Sequence, residues 1–176
     1  MSLDPLLAAG PAVQIHAFSA LVAVVIGAVV LWRPKGTRLH KTLGRVWVVL
    51  MLVAATSALF INEMRLIGPF GPIHIFTIIT YWTLGQGLYA IVVKKDVRRH
   101  RLEMQSLYLF ALLLAGAFTL LPGRRMHQVL FGPDAGWVPS LVSIAAILVV
   151  AGLVWRRSNP RQGPDGGRAG AALARD

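Results

Sequence analysis

The residues of this chain best suited to chemistry are five histidines: His16, His40, His74, His100 and His127. There is no cysteine. Disulfides, iron–sulfur clusters, covalent haem attachment and thiolate zinc sites are therefore excluded. A metal or haem would have to be held by His, Met, Tyr or carboxylate. Neutral imidazole is a natural axial ligand for haem iron and a good ligand for zinc or copper. The question is which elements carry these rings and at what depth.

The composition is that of a membrane protein. Apolar residues make up 56% of the 176 residues and charged ones 14%, well below the quarter usual in soluble chains. The apolar residues fall in five blocks, each about long enough to cross a bilayer as a helix. The blocks run from Ala12 to Trp32, Leu43 to Ile61, Ile73 to Val93, Met104 to Leu121 and Val138 to Trp155. The fold class expected is all-α, a polytopic membrane helical bundle with a four-helix core and a fifth transmembrane helix. Residues 1–155 form the transmembrane domain and residues 156–176, rich in Gly, Pro and Arg, a disordered basic tail.

Fifteen of the eighteen Lys and Arg lie in the first connection, the third connection and the tail, or flank them. Arg65, Arg124 and Arg125 lie on the other side. The bias places the N-terminus outside and the C-terminus in the cytoplasm of a bacterial inner (plasma) membrane. The first span reads as uncleaved, because its flank MSLDPLLAAG carries Asp4 and no basic residue. The net charge of +11 comes from short runs between apolar blocks, so anionic lipid headgroups are the expected partner and nucleic acid is not.

On this topology the histidines sort into two layers. His16 and His74, with His127 beyond the fourth span, lie near the outer face; His40 and His100 lie at the cytoplasmic ends of the second and fourth spans. Two helices each offering one His at one depth can hold a b-type haem. The commoner alternative is an imidazole that meets water, headgroups or a neighbouring helix. His16, Ala20, Ala23 and Gly27 share a helical face, small enough for close packing or for a flat ligand. His74, Thr77, Tyr81 and Gly85 form a polar stripe expected to point inward. His100, Met104, Tyr108 and Ala111 share a face; Met104 is a candidate ligand, and otherwise packing filler. Arg124, near the outer histidines, is a candidate partner for haem propionates, a quinone head or a phosphate, with Asn62 and Glu63 on the same side. Thr42 and Asp96 are candidate helix caps, and Arg99 and Glu103 stand at i,i+4 spacing. The chain has no Gly-rich nucleotide loop, no HExxH and no Asp, Glu, Lys or Arg in mid-span, which argues against an ion-driven transporter.

Several of these motifs occur in a recurring order: His16 in the first span, KGTRLHKTLGRVWV from Lys35, Pro72–His74 entering the third span, HRLEMQSLY from His100, and LPGR ending at Arg124. With them the chain resembles the domain-of-unknown-function family twenty-three-oh-six, predicted bacterial inner-membrane proteins, over about residues 12–125. The layout of paired histidines is also similar to cytochrome b561-type membrane cytochromes, by analogy. From His74 to the cytoplasmic end of its span is about 20 residues, roughly 30 Å, too far for quick exchange between two haems at the extreme layers.

The function expected is a small membrane redox protein. His16 and His74 hold a b-type haem near the outer face, with Arg124 by its propionates, and His40 and His100 form a second site or a lipid contact. Quinol or a periplasmic protein is the electron partner. One alternative is a zinc- or copper-binding protein using His16, His74 and His127. Another is a cofactor-free subunit or assembly factor of a larger membrane complex.

Overall fold

The computed structural model describes residues 2–61 and 72–158. Seven helices are described, and no strand accompanies them among these residues. They are α1 (Asp4–Leu7), α2 (Pro11–Trp32), α3 (Arg38–Ala58), α4 (Pro72–Val92), α5 (Val97–Phe118), α6 (Arg125–Phe131) and α7 (Trp137–Ser158). Helices α2 to α5 are long and apolar enough to cross a membrane, and α7 contains a further apolar stretch, Trp137–Leu153. Asn62, Glu63, Arg65 and the basic tail from residue 159 lie outside the described residues.

The long helices are inverted relative to a soluble bundle. In α2 the buried residues are Ser19, Ala23 and Gly27, while Val25, Phe18 and Val29 face outward. Trp82 and Ile78 of α4 are about as exposed as side chains on a helix become, at 70% and 68%. Large apolar groups meet lipid and small ones meet neighbouring helices, because in lipid it is close packing rather than water exclusion that holds helices together.

Of two helix starts, one differs from the sequence expectation and one agrees with it. Helix α3 begins at Arg38 rather than near Leu43, because the Thr37 side chain accepts from the His40 backbone N–H at 3.1 Å. Thr37, not Thr42, is the cap, and His40 lies in the first turn. Helix α5 begins at Val97, as the expected Asp96 cap requires, ahead of the apolar block that starts at Met104. Asp96 caps it, accepting from the Arg99 N–H at 2.9 Å, and His100 lies inside it. The preceding turns are closed by backbone that favours few residues: Gly36 has φ +81° and Lys95 φ +57°.

Neighbours in the bundle run α2–α3–α4–α5 and back to α2. Helices α2 and α4 therefore face each other across one diagonal, and α3 and α5 across the other. The core is Ala23, Trp47, Met51, Leu84, Leu107, Tyr108, Leu112 and Leu113. Helix α5 is π-helical over Leu107–Leu114. Helices α1 and α6, which periodicity does not reveal, pack together over the end of the bundle away from the basic connections, where Arg125 donates to the Pro5 carbonyl at 3.2 Å. Helix α7 packs on the side of α5, its Ser140 hydroxyl donating to the Leu120 carbonyl at 2.6 Å.

Candidate functional site

Depth in the bundle can be read from the bonds between helices. Trp47 Nε1 donates to the Ala23 carbonyl at 3.0 Å and Tyr108 Oη to the Val24 carbonyl at 3.2 Å. Trp47 and Tyr108 are thus at one level of α2. Gly27 is what allows this: a Cβ there would lie 2.6 Å from Trp47 Nε1 and 2.7 Å from the Tyr108 ring. The face shared by Ala23 and Gly27 is filled by these two aromatic rings, so at mid-depth it serves packing rather than a flat ligand.

His40 is seven residues from Trp47 on α3, and His100 eight from Tyr108 on α5. At helical rise both stand about 10–12 Å nearer the basic end. They come from diagonally opposite helices, at about one depth. His100 Nδ1 is 2.9 Å from the Gly87 carbonyl of α4. A carbonyl only accepts, so Nδ1 carries the proton and Nε2 of the neutral ring keeps its lone pair. This is how a protein usually orients an imidazole that binds a metal. His40 Nδ1 is buried and makes no hydrogen bond, which is uncommon in folded proteins, while the ring lies by the Val30 carbonyl at the end of α2. One turn above His40, nothing lies within 4 Å of where a Cβ on Gly44 would sit.

Three residues of this end were not singled out by the sequence. Lys35 donates to the carbonyls of Val30 (3.2 Å), Leu31 and Arg33 (3.1 Å), neutralising the C-terminal end of α2. Burial holds its ammonium below the ordinary lysine value, and the charge of nearby Arg101 adds to the effect. Arg101 itself makes no hydrogen bond or ion pair among the described residues. Gln105 is 2% exposed and its Oε1 is unpartnered. A glutamine in the apolar run from Met104 is the sequence signal for it. The signal for Lys35, a lysine in a tight turn, is generic.

The outer candidates are arranged differently. His16 Nδ1 is 2.8 Å from the Ala54 carbonyl of α3, so this ring too is protonated on Nδ1 and ties two helices. His74 is buried at the start of α4, at 7% exposure. Tyr81, seven residues further along α4, meets Thr56 Oγ1 at 2.8 Å, and Thr56 is two residues from Ala54. His74 therefore stands roughly one to two turns further out than His16. The buried face of α4 is His74, Thr77, Thr80 and Leu84; Tyr81 lies at its edge. Met104 packs where a Cβ on Gly87 would sit, and Tyr108 is in the core. The Arg124 guanidinium lies over the Phe118 ring, 4.7 Å from its centroid.

His127, on α6, is 1% exposed. Its ring packs edge-on to Phe131 with centroids 5.3 Å apart, and its Nε2 makes a long 3.4 Å contact with the Gly136 carbonyl. Among the described residues, no three His, Cys, Asp or Glu side chains are grouped so as to hold a metal ion.

A bundle of lipid-facing helices with histidines turned inward defines an integral membrane protein, and the family comparison agrees. The DUF2306 family model, described as a predicted membrane protein, matches residues 13–155, and the chain belongs to that family. The match runs through α7, beyond the four spans whose motifs carry the resemblance. No curated protein and no solved structure matches the chain.

Proposed function

We propose that this is a small membrane redox protein that holds a b-type haem between histidines on diagonally opposite helices, and that His40 and His100 are the better pair. The observation that carries this is their common depth on the two helices of the α3–α5 diagonal. The oriented His100 ring and the unpartnered His40 Nδ1 support it. Haem bound there supplies one-electron chemistry tuned by burial and axial ligation. His100, with Nδ1 held by the Gly87 carbonyl, and His40 would be the residues that hold it. The chain lies in a bacterial inner membrane with its basic end in the cytoplasm, and quinol is the electron partner that can reach a haem at that end. His16 and His74, with Arg124, remain the second candidate pair. Their unequal depths are less suited to two axial bonds on one iron.

The test is an absorption spectrum, oxidised and dithionite-reduced, of protein purified in mild detergent from haem-supplemented cells. A Soret band with sharp reduced α and β bands is expected, and its loss in His40→Ala and in His100→Ala. Pigment kept by both variants but lost in His16→Ala or His74→Ala moves the site to the other pair. A colourless wild-type protein overturns the reading. It would leave a cofactor-free membrane subunit, which the contacts of His16 and His127 with backbone carbonyls independently favour.

A further inference from the structure

We infer that the seam between α2 and α3, in the half of the bundle away from the basic connections, is a binding site for one lipid acyl chain. A groove of about 530 Å³ opens there between Ala12 and Ile15 of α2 and the stretch of α3 from Val49 to Phe60. The two helices are tied beside it by His16, whose Nδ1 is 2.8 Å from the Ala54 carbonyl. Ser57, which lines the groove, approaches the same carbonyl at 3.0 Å. Ala12 stands one turn from His16 and gives the wall only a methyl group. Helix α2 is thus held close to α3 without filling the space between them.

Three observations select a hydrocarbon chain as the occupant. The first is that the hydroxyl hydrogens of the wall are spent. Ser57 donates to the Val53 carbonyl at 2.7 Å. Thr56 donates to the Leu52 carbonyl at 2.7 Å, so its 2.8 Å contact with Tyr81 Oη uses the tyrosine hydrogen as well. A quinone or peptide carbonyl placed here would be buried without a donor, whereas a methylene chain needs none. The second is that the groove is continuous with the surface that already meets lipid: Ile15, Val49 and Phe60 are all exposed. The third is its length. Val49 stands midway along α3 and Phe60 just past its end. At helical rise they are about 16 Å apart, close to half of the ~30 Å hydrocarbon core. That is the reach of an acyl chain from one leaflet lying along α3. A longer isoprenoid tail would run on past Val49 with no wall beside it. Lipid is as apolar as the groove, so what holds this chain over its neighbours is the closer van der Waals contact of a concave wall.

The experiment is native mass spectrometry of the full chain in neutral detergent, titrated with phosphatidylcholine. The headgroup is zwitterionic, so the basic end of the bundle does not drive the binding. One dipalmitoyl lipid retained per chain is expected. The dioctanoyl lipid should bind about tenfold more weakly, because its chains end well short of Val49, and the loss of about ten van der Waals contacts is of that scale. Ala12→Leu and Val49→Phe fill the two ends of the groove, and each should weaken the dipalmitoyl lipid by about the same factor. Val25→Phe, on the lipid-facing surface of α2 outside the groove, should leave it unchanged. Val49 is itself exposed, so Val49→Phe carries the test if Ala12→Leu disturbs the start of α2. Equal retention by wild type and all three variants would be that of ordinary surrounding lipid, and overturns the site. So does equal binding of the two chain lengths, or no lipid retained by wild type. An isoprenoid quinol retained in place of phospholipid and lost in the same variants assigns the groove to its tail and overturns the acyl-chain reading. A dimer that becomes a monomer in those variants assigns the groove to a second copy of the chain, with the same consequence.

Discussion

In the half of the bundle away from the basic connections, the side chains that α2, α3 and α4 bury are mostly small, with Ser19, Ala54, Ala55, Ser57, Ala58, Thr77 and Thr80, while α5 adds Leu112 and Leu113. Toward the basic end the buried side chains are larger, with Trp47, Met51, Leu84, Leu107 and Tyr108. Each half also receives one histidine from each of two diagonal helices. The small-walled half draws α2 and α3 together until His16 reaches the Ala54 carbonyl at 2.8 Å. In the other half, rings of Trp47 and Tyr108 fill the centre, and His40 and His100 stand beneath them at one depth. A histidine in a membrane helix is thus a helix tie in one place and half of a facing pair in another. What separates the two roles is the size of the surrounding residues and the level at which each ring stands.

The separation of the two halves is most sensitive at Gly27. A leucine there would collide with the rigid Trp47 and Tyr108 rings, and overpacking of this kind costs about 3 kcal/mol. Thermal unfolding in detergent should show a large fall in Tm, with any haem lost along with the fold. An unchanged Tm would mean that the two rings are not the spacer between the halves.

A sharper test sets His16→Ala against His100→Ala. Each removes one imidazole bonded to a carbonyl on the next helix, so each should cost about 1 kcal/mol. Only His100→Ala should also abolish the Soret band. Equal spectra in the two variants would erase the distinction drawn here. Gly87→Ala should be milder than Gly27→Leu. The atom in the way is the flexible end of Met104, although Glu103 Cβ would lie 3.1 Å from the new methyl. A loss below about 1 kcal/mol is expected from the Met104 side chain turning aside, checked by the same melt; a loss as large as that of Gly27→Leu would show that the basic half is equally rigid.

The smallest effect concerns pH. The Lys35 value is lowered in the folded state, chiefly by burial. The folded protein therefore carries a cost while Lys35 is charged, and that cost is relieved as pH rises from its folded value toward 10.5. Stability should rise slightly over that window in wild type and not in Lys35→Met. Identical pH profiles would place the lysine in open solvent.

The spans were readable because apolar blocks of this length have one stable form in lipid. The Asp96 cap and the Arg99–Glu103 pair were readable because they are local, within four residues. The start of α3 was not, because Thr37 and Thr42 offer the same hydroxyl and only the bond to the His40 N–H chooses between them. The short helices α1 and α6 carry too few residues for a period to show. The site was readable as residue types but not as an arrangement. His40 and His100 were expected to be one layer and so were His16 and His74, yet residue counts from helix ends say nothing about how far one helix slides along the next.

By itself, then, the amino-acid order determined a membrane bundle, its helices, the inward-facing small residues and the crowding of positive charge at one end. Those follow from hydropathy, helical period and charge, which act over a turn or two. The tertiary structure decided which helices lie on diagonals, which imidazoles stand level, that Lys35 closes the end of α2, and that His40 Nδ1 and Gln105 Oε1 are buried without partners. Those depend on the sliding and rotation of packed helices, set by contacts such as Trp47 and Tyr108 against Gly27, between residues far apart in the chain.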